Sequence, residues 1–167
     1  MSERQTILVV DDSQNDLILM REAFKNTKFN SLQEIHNGQE MIAFLEGAGS
    51  YSDRKAFPLP TVVLLDLNMP KKNGFEVLAW VRAHPEFKRL AVIILTASTR
   101  DEDVERAYDL GATGYLVKPS NLNTLTTMMR CLCDWIQINH FPRINESERK
   151  SGNSTSFKSA APMRGQA

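Results

Sequence analysis

The sequence predicts an α/β domain, a doubly wound five-stranded parallel sheet with helices on both faces. Three observations predict it. Short apolar runs recur along residues 1–142 and are continuous rather than alternating, as in strands buried on both faces. Each run is followed by a longer stretch whose apolar residues fall at helical spacing. The runs also stop abruptly at polar residues, at the edge where sheets of this class place their sites.

Thr6-Ile7-Leu8-Val9-Val10 is the first such run. Asp16–Lys25 follows as a helix with Leu17, Met20 and Phe24 on one face, and Ser13 is its expected N-cap. Ser31–His36 is a weaker strand, and Gln39–Leu45 a helix carrying Met41, Ile42, Phe44 and Leu45. Gly47–Pro60, with its glycines, serines and prolines, reads as a loop. Thr61–Leu65 is the next buried strand, and Phe75–Ala83 a helix with Phe75, Leu78 and Val81 inward. Ala91–Leu95 is a strand, Glu102–Leu110 a helix stopped by Gly111, and Gly114–Val117 a strand. Leu122–Phe141 is a long final helix.

Composition excludes several classes. The 167 residues carry 20 Lys and Arg against 20 Asp and Glu, so there is no blanket basic field for nucleic acid or an anionic membrane. The apolar runs are far too short to span a bilayer, and the first runs straight into aspartate, unlike a signal peptide. Cys131 and Cys133 are too few for a disulfide framework and lack the second pair a zinc site needs. These features point to a soluble, reduced, cytoplasmic domain. Residues 143–167 hold five Lys and Arg and two Glu among Ser, Asn and Gly, with no apolar period, and read as a disordered tail after a domain at 1–142.

The polar residues at the run ends carry the chemistry. Asp11 and Asp12 end the first strand, Asp66 the third, Thr96 the fourth, and Lys118-Pro119 the fifth. A lone aspartate after a strand is ordinarily a turn or capping residue. Polar residues ending four separate strands at one sheet edge converge on a crevice instead. Two carboxylates about 4 Å apart repel by about 4 kcal/mol at an effective dielectric of 20, so a proton or a cation must neutralise the cluster. An all-carboxylate set without His or Cys favours a hard ion, and Mg2+ fits best. Lys118 and Thr96 would then serve the oxygens of a phosphoryl group.

In combination these residues resemble the receiver domains of two-component response regulators, including the single-domain chemotaxis type. The resemblance spans roughly Gln5 to His140. It rests on Val9-Val10-Asp11-Asp12-Ser13, on Leu65-Asp66-Leu67-Asn68-Met69-Pro70 with Asn73-Gly74, on Leu95-Thr96-Ala97, and on Gly111-Ala112 followed by Tyr115-Leu116-Val117-Lys118-Pro119. It implies a flavodoxin-like strand order 2-1-3-4-5 and Asp66 as phosphoacceptor. It implies that Asp11, Asp12, Asp66 and the backbone carbonyl of Asn68 hold Mg2+, that Thr96 and Lys118 contact the phosphoryl group, and that Thr96 and Tyr115 form the switch. A cis Lys118-Pro119 bond and a sensor histidine kinase as donor belong to the same expectation. Asn68 and Ser98 occupy positions that tune hydrolysis of the acyl phosphate; both are small and neutral, so no built-in general base is expected.

Further features look like the small receivers paired with bacterial phytochrome-type photoreceptor kinases. The Gly47–Pro60 stretch lengthens one connection by about ten residues, Asn121-Leu122 opens the last helix, and Trp135 lies near its end. On that helix Leu122, Leu125, Met129, Leu132 and Ile136 form the stripe expected on the sheet. Met128, Cys131, Trp135, Ile138 and Phe141 fall partly off it, which points to a second copy packed isologously or to cover by the chain's own Tyr51 and Phe57 loop. Both cysteines are expected to be core thiols pointing to different faces. An aspartyl phosphatase is disfavoured because Asn68 stands where its second, proton-donating aspartate is required, so an enzyme acting on other substrates is not expected. A phosphorylation-independent adaptor is the remaining alternative, although such proteins ordinarily lose an acidic residue or the lysine. A downstream protein target, rather than nucleic acid or membrane, would receive the signal.

Overall fold

A computed structural model describes residues 5–25, 27–29, 31–142 and 144. The elements are β1 (Ile7–Val10), α1 (Gln14–Lys25), β2 (Leu32–Ile35), α2 (Gly38–Glu46), a 3-10 turn (Gly49–Tyr51), β3 (Val62–Leu65), α3 (Gly74–Ala83), β4 (Ala91–Thr96), α4 (Asp101–Asp109), β5 (Gly114–Val117) and α5 (Leu122–Ile138). All strand pairs are parallel, in the order β2-β1-β3-β4-β5. The doubly wound fold and its order match the expectation. Strand order reverses between β1 and β3, and that reversal opens the crevice at their C-terminal ends.

Two cores lie on opposite faces because successive strand residues point to opposite sides. Leu8, Val10, Val63, Leu65, Val92 and Ile94 pack with Met41, Phe44 and Leu45 of α2 and Val77, Leu78 and Val81 of α3. Ile7, Val9, Val62, Leu64 and Ile93 pack with Leu17, Met20 and Phe24 of α1 and with Leu125, Met129 and Ile136 of α5. Helix α4 rests lightly on the first core, with Ala107 its only buried residue. The strong seating of α3 and the light seating of α4 leave the β4–α4 corner the less anchored side of the crevice.

Helix ends follow local chemistry. Ser13 caps α1, its hydroxyl accepting from the Asp16 N–H at 3.2 Å. Asn73 and Glu76 form a reciprocal capping box on α3. Gly47, at φ 68°, closes α2 in the left-handed region open to glycine.

Several expectations need correction. Helix α5 ends at Ile138 rather than Phe141: Asn139 turns extended, and the Phe141 ring comes back edge-on to Trp135 at 5.6 Å. Leu122 is 40% exposed instead of lying on the sheet, because it opens the helix before the helix reaches the core. Of the two cysteines only Cys133 is buried; Cys131, two residues earlier on the helix, faces solvent. The Lys118-Pro119 bond is not cis, for the described residues contain no cis peptide, and the trans form is the intrinsically favoured one.

The Gly47–Pro60 stretch is more than a plain loop. Tyr51 and Phe57 set their rings edge-on to Phe44, at 5.2 and 6.3 Å, and to each other at 5.1 Å. The Arg54 guanidinium donates to the carbonyls of Phe44 at 2.8 Å and Leu45 at 2.6 Å, a cation at the negative end of α2. Tyr51 and Phe57 therefore cover α2 rather than α5. The tail expected at 143–167 lies outside the described residues except for Ile144, which is half-buried against the α2–α3 core.

Candidate functional site

The site is assembled where the strands stop. The Asp11 N–H donates to the Ile35 carbonyl and the Asp66 N–H to the Val10 carbonyl, both at 3.0 Å, so parallel pairing continues one residue past each strand. The Lys118 N–H donates to Thr96 O at 2.8 Å in the same way. These backbone bonds leave the side chains at the crevice between β1 and β3.

Local geometry then fixes the carboxylates. Asp11 Oδ1 accepts from the Ser13 N–H, and Asp66 Oδ1 from the Leu67 N–H, each at 2.9 Å. Behind Asp66, Gly74 donates its N–H to Leu67 O at 2.9 Å. A Cβ on Gly74 would lie 2.3 Å from Asp66 O and 2.8 Å from Leu67 Cα. Glycine is therefore required here for close approach, and α3 buttresses the strand end directly.

One carboxylate oxygen from each of Asp11, Asp12 and Asp66 lies within 4.8 Å of the other two. Asp11 and Asp66 are 3% and 6% exposed, whereas Asp12 is open to solvent. An all-oxygen cluster with one wet side suits a small hard cation that keeps some of its water. Asn68 is exposed just beyond Asp66. Thr96 is wholly buried at the end of β4.

Lys118 reaches across the crevice. Its Nζ donates to Asp11 Oδ2 at 2.6 Å and to Asp16 Oδ2 at 2.7 Å, and stands 3.8 Å from Asp66 Oδ2. Burial pushes the Asp66 carboxyl above its ordinary value; Lys118 opposes the rise, Asp11 adds to it, and a hydrogen bond from Thr96 lowers it. Burial pulls the Lys118 ammonium down, but the bonds to Asp11 and Asp16 and the charge of Asp66 outweigh it, so the net shift is upward. The ammonium stays charged among four carboxylates, Asp11, Asp12, Asp16 and Asp66.

On the β4–α4 side, the Tyr115 hydroxyl donates to Ser98 O at 3.2 Å, and Ser98 Oγ bonds Asp103 Oδ2 in the first turn of α4. Burial raises the Tyr115 phenol. The Ser98 N–H lies 3.4 Å from Thr96 Oγ1, so Thr96, Ser98, Tyr115 and Asp103 form one connected corner.

The structure thus brings Asp11, Asp12, Asp66, Thr96 and Lys118 together, with Tyr115 adjoining and Asn68 at the rim. Sequence reasoning missed Asp16 and Asp103. Asp16 had a signal: it lies four residues after Asp12 in the first turn of α1, on the side facing the site. Asp103 lies five residues from Ser98 in sequence and becomes its partner only once α4 turns back.

The family described as the response regulator receiver domain matches residues 7–130. The chain is similar to response regulator Rcp1 of Synechocystis sp., at 39% identity over 127 residues, 75% of this chain and 84% of that protein. Among solved structures, it superposes on the phosphorylated cyanobacterial phytochrome response regulator RcpA with TM-score 0.77 and 32% identity, over 84% of this chain and 99% of that one. The Mn2+-bound form of Rcp1 superposes with TM-score 0.74 and 36% identity, over 83% of this chain and 99% of that one.

Proposed function

The chain belongs to the response regulator receiver family, and from that premise we propose that it is a phosphorylation-gated switch acting in the cytoplasm. In this reading Asp66 accepts a phosphoryl group from a sensor histidine kinase in a Mg2+-dependent reaction. The observation that carries it is a buried carboxylate, Asp66, with Lys118 Nζ 3.8 Å away and one oxygen each of Asp11 and Asp12 within 4.8 Å. The three clustered carboxylates, Asp11, Asp12 and Asp66, with the one ammonium leave a formal charge of −2, which makes the site receptive to a divalent cation.

An Asp66 oxygen attacks phosphorus as the bond to the donor's imidazole nitrogen breaks, the leaving nitrogen keeping the electron pair. Asp11, Asp12, Asp66 and the Asn68 carbonyl would hold Mg2+, which would supply positive charge to offset the negative charge of the transfer. Lys118 contributes a second positive charge, and the Thr96 hydroxyl a hydrogen bond, to the oxygens of the transferred group. The Leu67 N–H holds Asp66 Oδ1 and limits its rotation. Asn68 and Ser98 offer no charged base to a hydrolytic water.

The switch follows from the β4–α4 corner. Movement of Thr96 toward the phosphoryl group pulls on Ser98, and Tyr115 loses or changes its bond to Ser98 O. The face of α4, β5 and α5 then alters for a downstream protein partner. Kinship with a phytochrome response regulator supports a phytochrome-type kinase as the donor. Among the described residues no helix is long and apolar enough to cross a membrane. Dimerisation through α5 belongs to the same reading: Leu122 and Ile138 stay 40% and 79% exposed at its two ends. A sedimentation mass that stays monomeric at rising concentration would remove that part alone.

The test is intact mass after incubation with Mg2+ and acetyl phosphate, for the native chain and Asp66→Asn. One phosphoryl unit gained by the native chain alone is expected. Gain by neither, with Mg2+ binding demonstrated, leaves a phosphorylation-independent adaptor.

A further inference from the structure

The geometry of Lys118 deepens the reading above and rests on it. The ammonium lies within hydrogen-bond distance of Asp11 and Asp16, at 2.6 and 2.7 Å, but not of Asp66, at 3.8 Å. Two of its three donors are therefore spent away from the phosphoacceptor. The two partners differ. Asp11 is 3% exposed and belongs to the carboxylate cluster, so a cation bound there competes with Lys118 for its charge. Asp16 is outside that cluster and keeps its charge for the lysine.

The placement of Asp16 is determined independently of Lys118. Its N–H is bonded to Ser13 Oγ, which fixes it as the third residue of α1, and its carboxylate extends 102 positions along the chain to the lysine. Acidic residues in a first helical turn are commonly explained by the helix dipole. That explanation does not require the carboxylate to meet an ammonium whose side chain is only 16% exposed.

We propose that Asp16 is a positioning residue that restrains Lys118, holding the ammonium on the α1 side of the crevice until an incoming phosphoryl group draws it over. Asp16 competes with the donor's anionic oxygens for the same Nζ. Its removal frees the ammonium to bind the donor in ground state and transition state alike, which lowers KM without changing the maximal rate.

The experiment uses the full chain with Mg2+ and acetyl phosphate, scored as the initial rate of mass gain against donor concentration. In the reaction an Asp66 oxygen bonds to phosphorus, and acetate leaves with the electrons of the broken P–O bond. Asp16→Asn is expected to lower the apparent KM about three- to fivefold, the scale of a partly exposed ion pair. Asp16→Glu, which restores the charge, should return it to the native value. The 1H–15N resonance of the Lys118 ammonium should be visible in the native chain and in Asp16→Glu, and lost to solvent exchange in Asp16→Asn. An unchanged or raised KM in Asp16→Asn, beside a native chain that phosphorylates, overturns the restraint alone. A native chain that gains no phosphoryl group overturns the receiver reading and the restraint with it. An ammonium resonance invisible in the native chain overturns the restraint without any variant.

Discussion

Replacing Gly74 by alanine tests how the site is held. The added Cβ would fall 2.3 Å from Asp66 O and 2.8 Å from Leu67 Cα, where ordinary contact begins near 3.4 Å. Both obstacles are backbone, so no side-chain rotation relieves them; the start of α3 or the end of β3 must shift by about 1 Å. Overpacking of this kind costs about 1–3 kcal/mol, and backbone against backbone belongs at the upper end. The lower entropy of the unfolded alanine chain returns about 0.4–1 kcal/mol, which leaves a net loss of about 2 kcal/mol. With a urea slope near 2 kcal/mol per molar, the midpoint should fall by about 1 M. Because the displaced atoms belong to Asp66 and its neighbour, mass gain from acetyl phosphate should slow about 10- to 100-fold, the scale of a 1 Å misplacement at a reacting centre. Gly114→Ala is the control: its nearest neighbour is 3.8 Å away on Ile93, and its stability should stay within about 0.5 kcal/mol of native. A Gly74→Ala midpoint equal to native, or a Gly114→Ala loss of the same size, would refute the reasoning.

Other outcomes follow from the same geometry. Burial raises the Asp66 carboxyl in the folded chain, so the native state keeps that proton longer than the unfolded one and loses stability as pH rises from the unfolded value through the folded one. Without divalent cations, Asp66→Asn should therefore be more stable than native at pH 7 by about 1 kcal/mol, with the gap closing in acid; a thermal-melt series that shows no gap, or one widening in acid, contradicts this. Tyr51 is pushed up to about 12 by burial and by its bond to Glu40, so absorbance titration should show a late phenol that disappears in Tyr51→Phe. Arg54→Ala removes the bonds to the carbonyls of Phe44 and Leu45. It should cost about 1–2 kcal/mol and speed proteolysis within 48–60, as read by urea denaturation and limited digestion.

Asp11, Asp66, Thr96 and Lys118 could be read from the sequence because each stands at the end of a short apolar run. In a parallel sheet that position alone sends a residue to the functional edge, whatever its neighbours do in space. Helical spacing likewise revealed the inward faces of α1, α2 and α3, since a 3.6-residue period is a local property of the chain. The limit of such reasoning is visible in α5. Its apolar spacing is the same whether or not a core lies beneath a given turn, so Leu122 reads as inward and is exposed. The Gly47–Pro60 stretch read as a loop because glycine and proline punctuate it, while its clamp depends on Arg54 finding the carbonyl end of a helix already formed.

The alternation of strand and helix, the parallel class and the identity of the polar residues gathered at the C-terminal edge of the sheet were determined by the sequence itself, through periodicity and position at strand ends. The division of Lys118 between Asp11, Asp16 and Asp66 was decided only by the tertiary structure. That division turns on differences of about 1 Å between groups more than a hundred residues apart in two of the pairs. Electrostatic attraction varies inversely with distance and strengthens as water is excluded, and only the packing of α1, β1, β3 and β5 sets those distances and that dryness.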